Sequence, residues 1–177
     1  MSQIDQDTIN DEVLYTEYFT PVFRYFSLRT KNYDTATDLT SSTFLKFLKQ
    51  ENKGTDRNHS IRLLFTIART QIIDHWRYKK RHRSESLEES EEDYKSNDPD
   101  PQESFENQQD INLVRTVLDS LEDQEKEIVT LRITSIMTYE DIGQSLGITS
   151  DNARQIYSRS LKKIKKLLEE KNINYDT

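Results

Sequence analysis

Asn152, Arg154 and Gln155 stand within one short stretch of the chain. These three side-chain types can each make paired hydrogen bonds to the edges of DNA bases. The same stretch continues with Ser158, Arg159, Lys162, Lys163 and Lys166, donors suited to phosphate oxygens. A second cluster lies earlier. His75-Trp-Arg-Tyr-Lys-Lys-Arg-His-Arg83 holds five fixed positive charges in nine residues. Aromatic and basic side chains alternate there, which suits stacked bases and a phosphate backbone. Each cluster also has a plainer reading. The first could be a solvated, lysine-bearing helix face, and the second a cationic helix end that complements the macrodipole.

Catalytic chemistry has little to work with. There are no cysteines and only three histidines, His59, His75 and His82. His75 and His82 are two turns apart on one helix, too far to share an ion, and no metal-ligand spacing is present. Glycine-rich phosphate loops are absent as well. The chain reads as no enzyme, with no cofactor and no metal.

The elements that would hold these side chains follow from periodicity and caps. Thr138 caps a short helix over Tyr139 to Leu146, whose Ile142 and Leu146 are one turn apart and share a core. Gly147 can adopt the left-handed conformation that ends it, and Ile148 is expected to tuck into the core at the turn. Thr149 then caps a long helix reaching about Glu170. Ala153, Ile156, Tyr157, Ile164, Leu167 and Leu168 form its buried face. Ser150, Asn152, Arg154, Gln155, Ser158, Arg159, Lys162, Lys163 and Lys166 form the exposed one. A short helix, a glycine turn and a long helix with a graded polar face make a helix-turn-helix. Such a unit reads bases with the start of its second helix. Upstream, Ile111, Val114, Val117, Leu118 and Leu121 mark one helix, and Glu122-Asp123 start another with Ile128, Val129, Leu131 and Arg132.

The basic, aromatic cluster ends a helix predicted from about Ile61 to His82, with Ile61, Leu64, Phe65, Ala68, Ile72 and Trp76 as its buried stripe. Trp76 is in phase with that stripe and reads as core. Tyr78 leaves it and is the stacking candidate. Before it come a helix over Val13 to Thr30, with a break or bend expected at Pro21, and a second carrying Leu39, Phe44, Phe47 and Leu48. Asp34 and Thr35 are the expected caps of that second helix. Glu51 to Ser60 reads as a loop.

Composition agrees with an all-α protein of small bundles. Hydrophobic residues make up 33% and charged residues 32%, with three Gly and three Pro. Met1 to Glu12 carries acids and no apolar run, so no signal peptide is expected, and no run is long enough to span a membrane. The absence of cysteine fits a cytoplasmic protein. The net charge of −7 hides a division. Ser84 to Asp110 holds eleven acids and one base, which is −10, so the rest of the chain must carry +3. Ser84 to Asn107 is nearly free of apolar residues and reads as a flexible acidic linker. The expected domains are therefore 10–83 and 110–171, joined by 84–109.

The order of these features resembles the bacterial sigma-70 family. Asp38-Leu-Thr-Ser-Ser-Thr-Phe44, followed by Leu64-Phe-Thr-Ile-Ala-Arg69-Thr-Gln-Ile-Ile-Asp74-His-Trp-Arg77, is similar to the core-binding and promoter-melting domain. Leu118-Asp-Ser-Leu121 and Tyr139-Glu-Asp-Ile142-Gly-Gln-Ser-Leu146-Gly-Ile-Thr149 are similar to the C-terminal domain. Two domains on a short linker look like the extracytoplasmic-function type. The resemblance implies promoter recognition as a subunit of RNA polymerase. Asp38, Ser41 and Phe44 would match the contact with core polymerase, although Phe44 also reads as partly core. The loop from Glu51, together with Arg69, Asp74, Arg77, Tyr78, Lys79, Lys80 and Arg81, would match the surface that captures the opened −10 strand. The helix from Ser150 would match the −35 reader, and the acidic linker would lie in the RNA exit path. An anti-sigma factor is a further implied partner. Four positions depart from the pattern: Ser41, Leu63, Thr70 and the pair Asn152-Ala153. The competing reading is a stand-alone helix-turn-helix regulator that binds duplex DNA without polymerase. A regulator of that kind needs neither the basic, aromatic helix nor the acidic linker.

Overall fold

The computed structural model describes residues 11–30, 32–51, 56–83, 105–135 and 137–170. These form seven helices, and no strand occurs among the described residues. The chain divides into two compact units, Met1–Asp98 and Pro99–Thr177. Most of the expected linker, residues 84–104, lies outside the described residues, as do Met1 to Asn10 and Gly54.

The first unit packs α1 (Asp11–Thr30), α2 (Tyr33–Leu48) and α3 (Arg57–Arg83) against one another. Leu14, Tyr18, Val22, Tyr25 and Phe26 recur at three- and four-residue spacing and bury one stripe of α1. Ala36, Thr40, Phe44 and Phe47 do so on α2, and Ile61, Leu64, Phe65, Ala68 and Ile72 on α3. The Tyr25 and Phe65 rings meet edge-to-face at 6.1 Å, joining α1 to α3.

Several local expectations change. α1 runs on through Pro21 without a break. The cap of α2 is Asn32, whose side chain accepts from the Thr35 amide at 2.8 Å. Asp34 and Thr35 are already inside the helix, so a good capping residue two positions upstream wins. α3 starts at Arg57, and Asp56 Oδ1 accepts from the His59 amide at 2.8 Å. The last residues of the expected loop are therefore helical. Val13 and Leu48 are exposed.

Between α2 and α3 lies a buried polar cross-link. Gln71 Oε1 accepts from Ser42 Oγ at 3.0 Å and Lys46 Nζ at 2.9 Å, while its Nε2 donates to Thr43 Oγ1 at 3.0 Å. A buried amide with both ends satisfied fixes the register of the two helices.

The second unit contains α4 (Phe105–Asp119), α5 (Asp123–Thr134), α6 (Tyr139–Leu146) and α7 (Ser150–Glu170). α4 begins at Phe105, inside the stretch read as extended linker. Val117, Leu118, Leu121, Ile128, Val129, Leu131, Met137, Ile142, Ala153 and Ile156 make the core, and α7 touches all three of the other helices. The burial of α7 ends at Ser160. Ile164, Leu167 and Leu168, expected as buried, are only half-covered, because the helix runs on past this small core. Ile148 is likewise half-buried.

Candidate nucleic-acid interface

The turn between α6 and α7 is built from three local devices. Thr138 and Asp141 form a reciprocal capping box: the Thr138 hydroxyl accepts from the Asp141 amide at 3.2 Å, and the Asp141 carboxylate accepts from the Thr138 amide at 2.9 Å. Gly147 takes φ 69 and ψ 31, a left-handed conformation that ends α6. Thr149 Oγ1 accepts from the Asn152 amide at 3.2 Å and starts α7. A fourth device was not anticipated. A Cβ on Gly143 would sit 2.7 Å from the Ile148 carbonyl oxygen and 3.1 Å from the Ser150 nitrogen. The two helices therefore meet backbone to backbone at Gly143, which sets how α7 leaves the turn.

That geometry exposes Asn152, Arg154, Gln155, Ser158, Arg159, Lys162 and Lys163, with Ser150 half-buried beside them. Asn152 and Gln155 project from the first turns of α7. Arg154 is less free than its position suggests. Its guanidinium lies 5.3 Å from the centre of the Tyr139 ring. Arg132, at the end of α5, lies 5.3 Å from the same ring and donates to the Met137 carbonyl at 3.4 Å. These residues line an open cleft of about 440 Å³ together with Thr138, Glu140 and Ser150. Two guanidinium groups at one cleft offer a planar, bidentate grip for a phosphate or a guanine edge. The sequence around Arg132 marks it only as part of a helix, since nothing in its own neighbourhood signals the cleft. The fold alone brings it to Arg154.

By its place on the polar face of α7, Lys163 is expected among the phosphate donors. Its ammonium instead donates to Glu125 Oε1 at 2.6 Å, tying α7 to α5. That hydrogen bond is the largest influence holding the Glu125 carboxyl below its usual range. Partial burial opposes it, and the Glu122 amide and the charges of Lys163 and Arg159 reinforce it. Lys162, one residue away, points into solvent.

In the first unit, no side chain from Ile73 to His82 is buried. α3 runs beyond the cover of its neighbours, so its last turns have nothing to pack against. The expectation that Trp76 is core therefore fails: it is 40% exposed. Periodicity had its phase right, but the core had already ended at Ile72. Lys79 Nζ lies 5.8 Å from the Trp76 ring centre, and the His75 ring meets it edge-on at 5.3 Å. Tyr78 is 55% exposed, with its ring 3.9 Å from that of His82. Burial first, and then Lys79, push the His75 pKa down, which favours the neutral ring. Arg77, Lys80 and Arg81 are exposed and Lys79 half-buried. Asp74 is also exposed and pairs with Arg77 at 3.6 Å. Arg69 is half-buried, set back from this surface.

On α2, Asp38 and Ser41 are exposed, and Leu45 and Leu48 continue the same face, 59% and 44% exposed. Phe44, read as partly core, is fully so and is not available as a surface contact. It is buried against α1, its ring 4.9 Å from that of Tyr15 and 6.4 Å from that of Phe19. It holds the helix that presents Asp38 and Ser41. Leu45 is exposed, although a leucine between two buried phenylalanines reads as core from the sequence pattern alone.

Among the described residues, no group of three or more His, Cys, Asp or Glu could hold a metal ion, and no helix is long and apolar enough to cross a membrane.

Comparison with known proteins gives the two units their relatives. The profile of the family described as Sigma-70 region 2 matches residues 14–82, and that of Sigma-70, region 4 matches residues 117–166. The chain is 28% identical over 163 residues to the RNA polymerase sigma factor YlaC of Bacillus subtilis (strain 168), covering 91% of this chain and 92% of that protein. It is 28% identical over 159 residues to the ECF RNA polymerase sigma factor BldN of Streptomyces coelicolor, covering 88% of this chain and 59% of that one. The fold is shared with the sigma factor RpoE solved in complex with the anti-sigma factor NepR from Bartonella quintana. The TM-score is 0.68 at 21% identity, over 91% of this chain and 98% of the other.

Proposed function

The chain belongs to the sigma-70 family of RNA polymerase sigma factors, in its extracytoplasmic-function branch, and from that premise we propose how it reads a promoter. The protein is a transcription initiation factor and not an enzyme. It binds core RNA polymerase through the Asp38–Ser41 face of α2. It docks the start of α7 in the major groove of the −35 element, with Asn152, Arg154 and Gln155 at base edges and Lys162 on phosphates. The uncovered end of α3 meets the opened −10 strand, with Trp76 and Tyr78 stacking on bases and Arg77, Lys79, Lys80 and Arg81 on phosphates.

The observation that carries this reading is the pairing of two surfaces in one chain. One unit exposes a helix-turn-helix, and the other exposes a cationic, aromatic helix end that no core covers. A stand-alone regulator uses only the first. Each surface alone is small, so useful affinity arises when polymerase fixes their spacing. Such a factor works in the cytoplasm beside polymerase. An anti-sigma partner belongs to the same reading, since the solved relative is held by one.

Gel filtration of the full chain with purified core polymerase tests it. Co-elution in one peak is expected. Separate elution at micromolar concentrations contradicts the polymerase contact and returns the regulator reading.

A further inference from the structure

Tyr139 has a place in the site that no base contact explains. It is the first residue of α6, half-buried, with its ring tilted against Tyr157 at 5.8 Å. Two guanidinium groups, Arg132 and Arg154, each lie 5.3 Å from that ring's centre. The two like charges are therefore no further apart than twice that distance. Left to themselves, two long side chains at the edge of an open cleft would separate into solvent. The negative face of an aromatic ring is what can keep them together.

The three residues come from three helices, the end of α5, the start of α6 and the first turn of α7. Tyr157 lies one turn beyond Arg154 on the same side of α7 and steadies the ring from that helix. The Arg132 guanidinium is held over the ring by a second contact, its Nη1 donating to the Met137 carbonyl at 3.4 Å. Arg154 is exposed and has the ring as its platform. Its aim therefore depends on Tyr139 more than on its own helix.

We infer that Tyr139 is the positioning residue of the promoter reader, its ring holding Arg154 in the orientation from which it discriminates bases. The inference rests on the proposed −35 reading. An arginine has many rotamers, and one already held by a ring loses less freedom when it binds. Tyr139 therefore acts on sequence choice through Arg154, without touching a base itself.

The test uses the full chain with core polymerase and the promoter that the wild-type protein selects from a randomised library. The readout is the ratio of affinity for that promoter to affinity for one mismatched in the −35 element. Tyr139→Leu is expected to lower the ratio about two- to five-fold, the scale of a lost cation–π contact. Tyr139→Phe, which keeps the ring, should retain it. In an Arg154→Ala background, Tyr139→Leu should lower it no further. An unchanged ratio, an equal loss in the Arg154→Ala background, or Tyr139→Phe behaving like Tyr139→Leu overturns the inference. Should Tyr139→Leu fail to fold, the Arg154 side-chain Nε–H resonance of the free wild-type protein decides. A ring-current shift that survives in Tyr139→Phe supports the platform, and a random-coil position overturns it. Failure of the underlying reading looks different: the wild type then selects no −35 sequence, before any variant is measured.

Discussion

Lys163 Nζ sits 2.6 Å from Glu125 Oε1, so a lysine on the polar face of α7 is bound to a carboxylate of α5 and not held out for DNA. Lys162, its neighbour in sequence, is exposed. Adjacent residues of the same type thus have different tasks. Lys162→Ala should lower the slope of binding against salt by about one, the signature of one lost phosphate contact. Lys163→Ala should leave that slope nearly unchanged and reduce the stability of the C-terminal unit by about 0.5 kcal/mol, the scale of a solvent-screened pair. Salt titrations of holoenzyme on its promoter, with urea melts of the free chain, separate the two.

The same pair carries a pH signature. The Glu125 carboxyl is held below its ordinary range, first by the Lys163 hydrogen bond. A lowered folded-state value stabilises the fold above the unfolded value and is lost as pH falls through the folded one. Glu125→Gln should therefore be less stable than wild type near neutrality and lose its deficit as the medium is acidified below the ordinary carboxylate range of about 4.3. Chemical denaturation across that range measures it. A deficit that persists unchanged at the acid end would show that the lost stability is packing, not charge.

Gly143 and Gly147 differ in what they require. An alanine at Gly143 would drive its Cβ to 2.7 Å from a backbone oxygen, whereas the space around Gly147 is open and only its φ of 69 objects. Gly143→Ala should cost about 1–3 kcal/mol, as overpacking does. Gly147→Ala should cost about 1 kcal/mol. The first should also weaken −35 recognition, since it shifts the exit of α7. Thermal melts paired with promoter binding check the order. Equal costs would mean that the backbone contact at Gly143 relaxes freely.

Trp76 and Tyr78 lie where α3 has outrun its core. Alanine at either position should leave stability within about 0.5 kcal/mol, while open-complex formation falls by the roughly 1–3 kcal/mol associated with one stacked base. Permanganate footprinting of the opened strand reads the second quantity. A large drop in melting temperature for Trp76→Ala would return that residue to the core.

The helix-turn-helix was legible because its parts act locally. Thr138, Gly147 and Thr149 each do their work within three or four residues, so capping and turn preferences reveal them in order. The same holds for the stripes of α1 and α3. What escaped depends on how far neighbouring elements reach. Phase placed Trp76 on the buried side of α3, but only the packed unit shows that burial stops at Ile72. Leu45 is exposed beside the buried Phe44 for the same reason. Gly143, Gln71, and the meeting of Arg132, Tyr139 and Arg154 are contacts between helices, and no period within a helix encodes them. Asn32 is a local signal too, masked in the sequence by Asp34 just beyond it.

Transcription in vitro from a randomised promoter library, with the purified full chain and core polymerase, bears most directly on the assignment as a promoter-reading subunit. Expected transcripts come from templates sharing two sequence elements at fixed spacing. The upstream element should change when Gln155 or Arg154 is substituted, and the downstream one should weaken with Tyr78→Ala. Transcription no greater than core polymerase alone, or transcripts with no shared upstream element, would contradict it.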